Sequence, residues 1–120
     1  MPHAIGIRLG MSCGSGLAIL LVLGALAGVA QEAGTTAGQE GREIFTQAQP
    51  ACAICHTLAD AGASGKIGPN LDTLEPTEER VRLAVRGGAD GMPAYRDILS
   101  EEEIATVAEY VATVSREGGG

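Results

Sequence analysis

The sequence predicts an all-α fold, and three observations carry that expectation. Apolar residues recur at spacings of three and four in separate stretches, which is the period of a helix with one buried face. Glycine and proline stand between those stretches, where chain reversals belong. No segment alternates apolar and polar residues as a half-buried strand does. Three to four helices are expected, and 120 residues hold one domain at most.

The first stretch reads as lying outside that domain. Arg8 is the last charge before Glu32, and the 23 residues between them are uncharged, with the dense apolar part at Leu17 to Ala30. A short basic start, an apolar run and small residues at Gly28 and Ala30 match a secretory signal peptide over residues 1–30, cleaved after Ala30. The alternative is an uncleaved anchor, because an apolar run of this length reaches across a bilayer of about 30 Å; only then would the chain meet a membrane. Five glycines make it a poorer span. Cys13, ahead of the apolar run, reads as an incidental thiol. Residues 31–38 (QEAGTTAG) read as a flexible linker, 39–115 as the folded domain, and 116–120 as a frayed, glycine-rich tail.

Within the domain the elements follow in order. A first helix is expected from about Gln39, with Gly41, Ile44, Phe45 and Ala48 on one face and Thr36 as a candidate N-cap. Pro50 ends it, since its ring clashes with the preceding turn. Cys52-Ala53-Ile54-Cys55-His56 follows at once. A long loop then runs from Ala59 to Pro76 with Gly62, Gly65, Gly68 and Pro69 in it, a length that implies a job or something to wrap. Thr77 caps a helix through Arg86, with Glu78 and Glu79 in the first turn, Val81, Ala84 and Val85 facing inward, and Gly87-Gly88 as its stop. A second loop, Gly87 to Leu99, holds Gly91-Met92-Pro93-Ala94-Tyr95. Ser100 and Glu103 form a capping box for the last helix, about four turns long, whose apolar face is Ile104, Val107, Ala108, Val111 and Val114.

The chemistry concentrates in Cys52 to His56. C-x-x-C-H is the attachment signature of a c-type haem. On a helical turn Cys52, Cys55 and His56 share a face, so two thiols can bond to one porphyrin edge while the imidazole lies under the iron. Other readings fit less well. A closed zinc site needs four ligands, and beyond the N-terminal segment these three residues are the only Cys or His. A thioredoxin-like pair wants a βαβ context, and a plain disulfide gives no reason for the His. The second axial ligand can be counted: with no other His in the domain, Met92 is its only Met and its thioether can ligate iron. It sits between Gly and Pro, off any apolar stripe and 36 residues after His56, far enough to return on the opposite face of a haem.

Composition agrees. Phe45, Tyr95 and Tyr110 are the only aromatics and there is no Trp, so a large apolar cofactor would supply core that the side chains lack. The formal charge is −7, and removing residues 1–30 takes away Arg8 alone and leaves −8. Such a chain does not bind nucleic acid by neutralising phosphates.

The segments Cys52-Ala-Ile-Cys-His56, Gly68-Pro69-Asn70-Leu71 and Gly91-Met92-Pro93-Ala94-Tyr95 resemble, in order and spacing, those of small class I monohaem cytochromes c. The resemblance covers nearly all of residues 39 to 115 and implies the cytochrome c fold, wrapped around one covalently attached haem. It implies that Gly41, Phe45 and Tyr110 lie where the first and last helices cross. It implies too that Pro69 O accepts a hydrogen bond from His56 Nδ1, fixing the ring. More narrowly, residues 41–74 are similar to small periplasmic cytochromes that accept electrons from molybdenum sulfite dehydrogenases or serve as their haem subunit. One departure is charge: Lys66 is the only lysine, so docking through a ring of lysines is not carried over. Contact is expected at the haem edge, near Ala53, Ile54 and the Met92 to Ala94 loop, and Arg80, Arg82 and Arg86 include a candidate partner for a propionate.

The functional expectation is an exported, periplasmic single-electron carrier and not an enzyme. Its haem c is bound by Cys52, Cys55, His56, Pro69 and Met92, with His56 and Met92 on the iron. Its partners would be a periplasmic dehydrogenase, with sulfite dehydrogenase as the narrower case, and a terminal oxidase or other cytochrome downstream. The alternatives are a haem subunit of a sulfite dehydrogenase-like complex, an open-site haem enzyme or gas sensor, and a haem-free module using the two cysteines as a disulfide.

Overall fold

The computed structural model describes residues 36–119; the expected signal peptide and residues 31–35 of the expected linker lie outside them. Among the described residues the chain forms five helices and one two-stranded sheet. The helix count exceeds expectation because two of the five are single turns. Among the described residues, no helix is long and apolar enough to cross a membrane.

Helix α1 is described over residues 36–47, so residues 36–38, read as linker, are helical and Thr36 lies within the helix. Phe45 is 1% exposed and Gly41 is buried. Docking these two on the last helix stabilises turns beyond the apolar pattern. Helix α2, Cys52–Cys55, is one turn and buries Cys52. Strands β1 (Thr57–Leu58) and β2 (Ala63–Ser64) pair antiparallel, Thr57 opposite Ser64 and Leu58 opposite Ala63. Two residues are too short to show a period in the sequence, and the pair interrupts what reads as a bare loop. Helix α3, Leu71–Leu74, sits in the same loop, capped by Asn70, whose side chain accepts from the N–H groups of Asp72 and Thr73 at 3.0 and 3.3 Å.

Helices α4 (Glu78–Gly87) and α5 (Glu101–Gly118) follow their predicted caps: Thr77 accepts from Arg80 N–H, Gly88 ends α4, and Ser100 with Glu103 closes the capping box. At 18 residues α5 runs longer than the four turns expected, and residues 116–118 are helical instead of a frayed tail. Packing explains this. Ser115 is fully buried, Gly119 N–H donates to Ser115 O at 3.2 Å, and Gly119 lies close enough to Glu75 and Asp72 to leave no room for a Cβ.

One core joins all of this: Phe45 from α1, Leu58 from β1, Val81 and Val85 from α4, Tyr95 from the loop, and Ile104, Val107 and Val111 from α5. The α1–α5 crossing is as the resemblance implied. A Cβ on Gly41 would collide with Tyr110 Cβ, and the Phe45 and Tyr110 rings meet edge to face at 6.4 Å and 63°. Such a pair adds about 0.5–1.5 kcal/mol beyond the area it buries.

Candidate functional site

Cys52 and Cys55 are free thiols one helical turn apart, Cys52 buried and Cys55 half-buried. Burial pushes the Cys52 thiol above its ordinary pKa, the reverse of the low pKa that activates a redox-enzyme cysteine. Among the described residues, no group of three or more His, Cys, Asp or Glu side chains is placed to hold a metal ion.

His56 departs from the simple helical-face argument. It is the C-cap of α2, with extended backbone (φ −110°, ψ 144°), so the i, i+4 spacing does not aim its ring. The Ala59–Pro76 loop does. His56 Nδ1 lies 2.8 Å from Pro69 O. A carbonyl only accepts, so Nδ1 carries the proton and Nε2 keeps its lone pair for a metal. The loop is laced onto the turn by Gly68 N–H donating to Cys55 O at 2.7 Å, Gly65 N–H to His56 O at 3.3 Å, and Thr57 Oγ1 to Gly65 O at 2.9 Å.

Two glycines permit this approach. A Cβ on Gly68 would sit 2.6 Å from His56 Cε1, and one on Gly65 would sit 2.5 Å from Ile54 O. In the sequence each reads only as a loop glycine, and Gly68 immediately before Pro69 is the one local signal.

Met92 sits at the tip of a tight reversal. Met92 N–H donates to Ala89 O at 2.8 Å and Ala89 N–H returns to Met92 O at 3.2 Å, with Gly91 at φ 76°. Gly88, at φ 79°, lies under the tip, where a Cβ would be 2.9 Å from Met92 O. The thioether is half-buried against the core. Tyr95, which the sequence offered only as part of a motif, ties this loop to the cysteine turn. Its hydroxyl donates to Pro50 O at 2.7 Å, and its N–H donates to Val85 O at 2.8 Å. It is 3% exposed, and burial pushes its pKa up to about 12.

These residues fit a haem. Two unpaired thiols share a turn, one imidazole nitrogen is left as a ligand, and Ile67, beside the glycine that lies on the imidazole, is 80% exposed, apolar surface a flat macrocycle can cover. The arginines weighed as propionate partners are otherwise engaged in two cases: Arg82 pairs with Glu79 at 2.7 Å and Arg86 with Glu101 at 3.1 Å, all well exposed.

Residues 36–111 match the family described as cytochrome c oxidase, cbb3-type, subunit III. Cytochrome c6 of Euglena gracilis is 32% identical over 79 residues, covering 61% of this chain and 87% of that protein. The crystal structure of the c-type cytochrome SorU from Sinorhizobium meliloti superposes with a TM-score of 0.65 at 54% identity, covering 68% of this chain and 93% of that one.

Proposed function

The chain belongs to the cytochrome c family, and from that premise we propose that it is a periplasmic one-electron carrier with His56 and Met92 as the axial ligands of its haem. Proteins of this family carry covalent haem c and transfer electrons without being enzymes themselves. When bound, the haem supplies one-electron chemistry, its iron alternating between ferrous and ferric.

The chain's residues do the rest. Cys52 and Cys55 anchor the porphyrin edge. Pro69 O holds the proton on His56 Nδ1, so that Nε2 faces the metal as a lone pair and the ring cannot swing. Met92 completes the ligand pair and raises the reduction potential relative to two imidazoles. The observation that carries this reading is the His56 Nδ1 to Pro69 O bond beside two unpaired thiols, because that bond selects the tautomer a metal requires.

The narrower reading makes the donor a sulfite dehydrogenase, with this chain as its diffusing acceptor or its haem subunit; the likeness of residues 41–74 to cytochromes of such systems supports it. Residues 1–30 serve as the export signal.

Carbon monoxide added to the reduced holoprotein tests the ligand set. Slow and incomplete binding is expected. Rapid, complete binding would replace the carrier with an open-site enzyme or sensor. Co-purification from native periplasm tests the partner, and a bound dehydrogenase would settle free carrier against fixed subunit.

A further inference from the structure

The segment bearing Met92 runs from Gly88, which ends α4, to Ser100, which caps α5. Its reciprocal Ala89–Met92 bonds stiffen the tip but tie it only to itself. Its connection to the cysteine turn runs through Tyr95, three residues on. The Tyr95 backbone is held at both groups: its N–H donates to Val85 O and its carbonyl accepts from Leu99 N–H, each at 2.8 Å. The hydroxyl reaches back 45 residues to donate to Pro50 O, two residues before Cys52, and it also makes a side-chain hydrogen bond with Cys52 itself. With the ring 3% exposed, water has little access to compete for that bond at the phenol. Pro93, between Met92 and Tyr95, has a fixed φ, which removes one of the few backbone rotations between them.

We propose that Tyr95 is a positioning residue: through its bonds to the cysteine turn, its hydroxyl sets how readily Met92 leaves the iron. The proposal rests on Met92 as an axial ligand. An incoming ligand reaches the iron only in the fraction of molecules whose Met92 loop is open, and its apparent affinity scales with that fraction. Losing the hydroxyl raises the open fraction without touching either axial ligand.

Imidazole binding to the ferric holoprotein reads this out. Tyr95→Phe keeps the ring and removes the bond, and should bind imidazole about two- to tenfold more tightly than the parent chain, the range set by one hydrogen bond. Tyr110→Phe removes a comparably placed hydroxyl bond, to Asp60, and should leave imidazole affinity unchanged. Met92→Ala sets the ceiling. Parent affinity in Tyr95→Phe, or an equal rise in both tyrosine variants, overturns the positioning role. If Met92→Ala binds no better than the parent, Met92 is not the ligand and both readings fall; a large rise there with none in Tyr95→Phe sinks only the positioning role. Should Tyr95→Phe not yield folded holoprotein, amide exchange in the parent chain decides. Met92 and Tyr95 N–H should open together, and easier opening at Met92 overturns the proposal.

Discussion

The loop behind His56 and the loop bearing Met92 are anchored to the cysteine turn by different means. Residues 57–74 fold back on the turn that precedes them, and their bonds to it come from Gly65, Gly68 and Pro69, all within 14 residues of their partners. The Met92 loop is closed on itself and reaches the cysteine turn through the Tyr95 hydroxyl, which bonds Pro50 O 45 residues back and also the Cys52 thiol. The first is a clamp of several short-range bonds, two of them wholly backbone, that share the load. The second is a strut, and the lesson is that His56 is fixed by local chain geometry while Met92 is held by tertiary structure. Displacement of a ligand is therefore expected on the Met92 side.

The largest test removes what both loops depend on. Changing Cys52 and Cys55 together to Ser should abolish covalent haem, and a denaturing gel under reducing conditions should show none on the polypeptide; normal haem content would refute the attachment. Next, Met92→Ala should leave the haem attached, let carbon monoxide bind the reduced protein rapidly and lower the potential, since a thioether favours the ferrous state. An unchanged spectrum would remove Met92 from the site. Gly68→Ala attacks the clamp. The new methyl would meet His56 Cε1 at 2.6 Å, so the ring or the loop must shift, at a cost of about 1–3 kcal/mol read as a lower thermal midpoint with a changed haem spectrum. If the midpoint falls but the spectrum does not, the clamp is not what aims His56.

The smallest effect is a matter of pH. The Tyr110 hydroxyl donates to Asp60 at 2.5 Å, and burial, followed by the Asp60 hydrogen bond and charge, raises its pKa in the folded chain. A raised phenol favours the protonated form in the fold. Its contribution is complete below the unfolded value of about 10 and is lost as pH climbs above it. Stability measured in denaturant from pH 9 upward should fall more steeply in the parent than in Tyr110→Phe; parallel curves would mean that the bond contributes nothing.

What could be read from the sequence follows the same division. The caps at Thr77, Gly87-Gly88 and Ser100 with Glu103 are legible because capping is decided within four residues. Cys52, Cys55, His56 and Met92 stand out because each is scarce and chemically distinct, and counting ligands needs no coordinates. The short pieces fail for want of length: β1 and β2 have two residues each, and α3 announces itself only by Asn70. Contacts between distant residues leave no local mark. Nothing in the sequence says that Tyr95 meets Pro50, that Gly68 lies on the imidazole, or that Gly119 is wedged against Glu75. The resemblance to cytochromes c implied Pro69 and the Gly41–Tyr110 crossing, which periodicity alone could not.

The lacing of Gly65 and Gly68 onto the cysteine turn also bears on the order of assembly. Contacts that close short loops cost little chain entropy and form early, whereas a 45-residue closure must wait for the helices that bring its ends together. When holoprotein refolds from denaturant with its haem still attached, the Gly68 amide should gain protection from exchange before the Tyr95 amide does. The molecule would then pass through a stage with His56 already seated and the opposite face of the haem still accessible, and added imidazole should trap it there. Refolding at a rate indifferent to imidazole would show instead that both faces close at once.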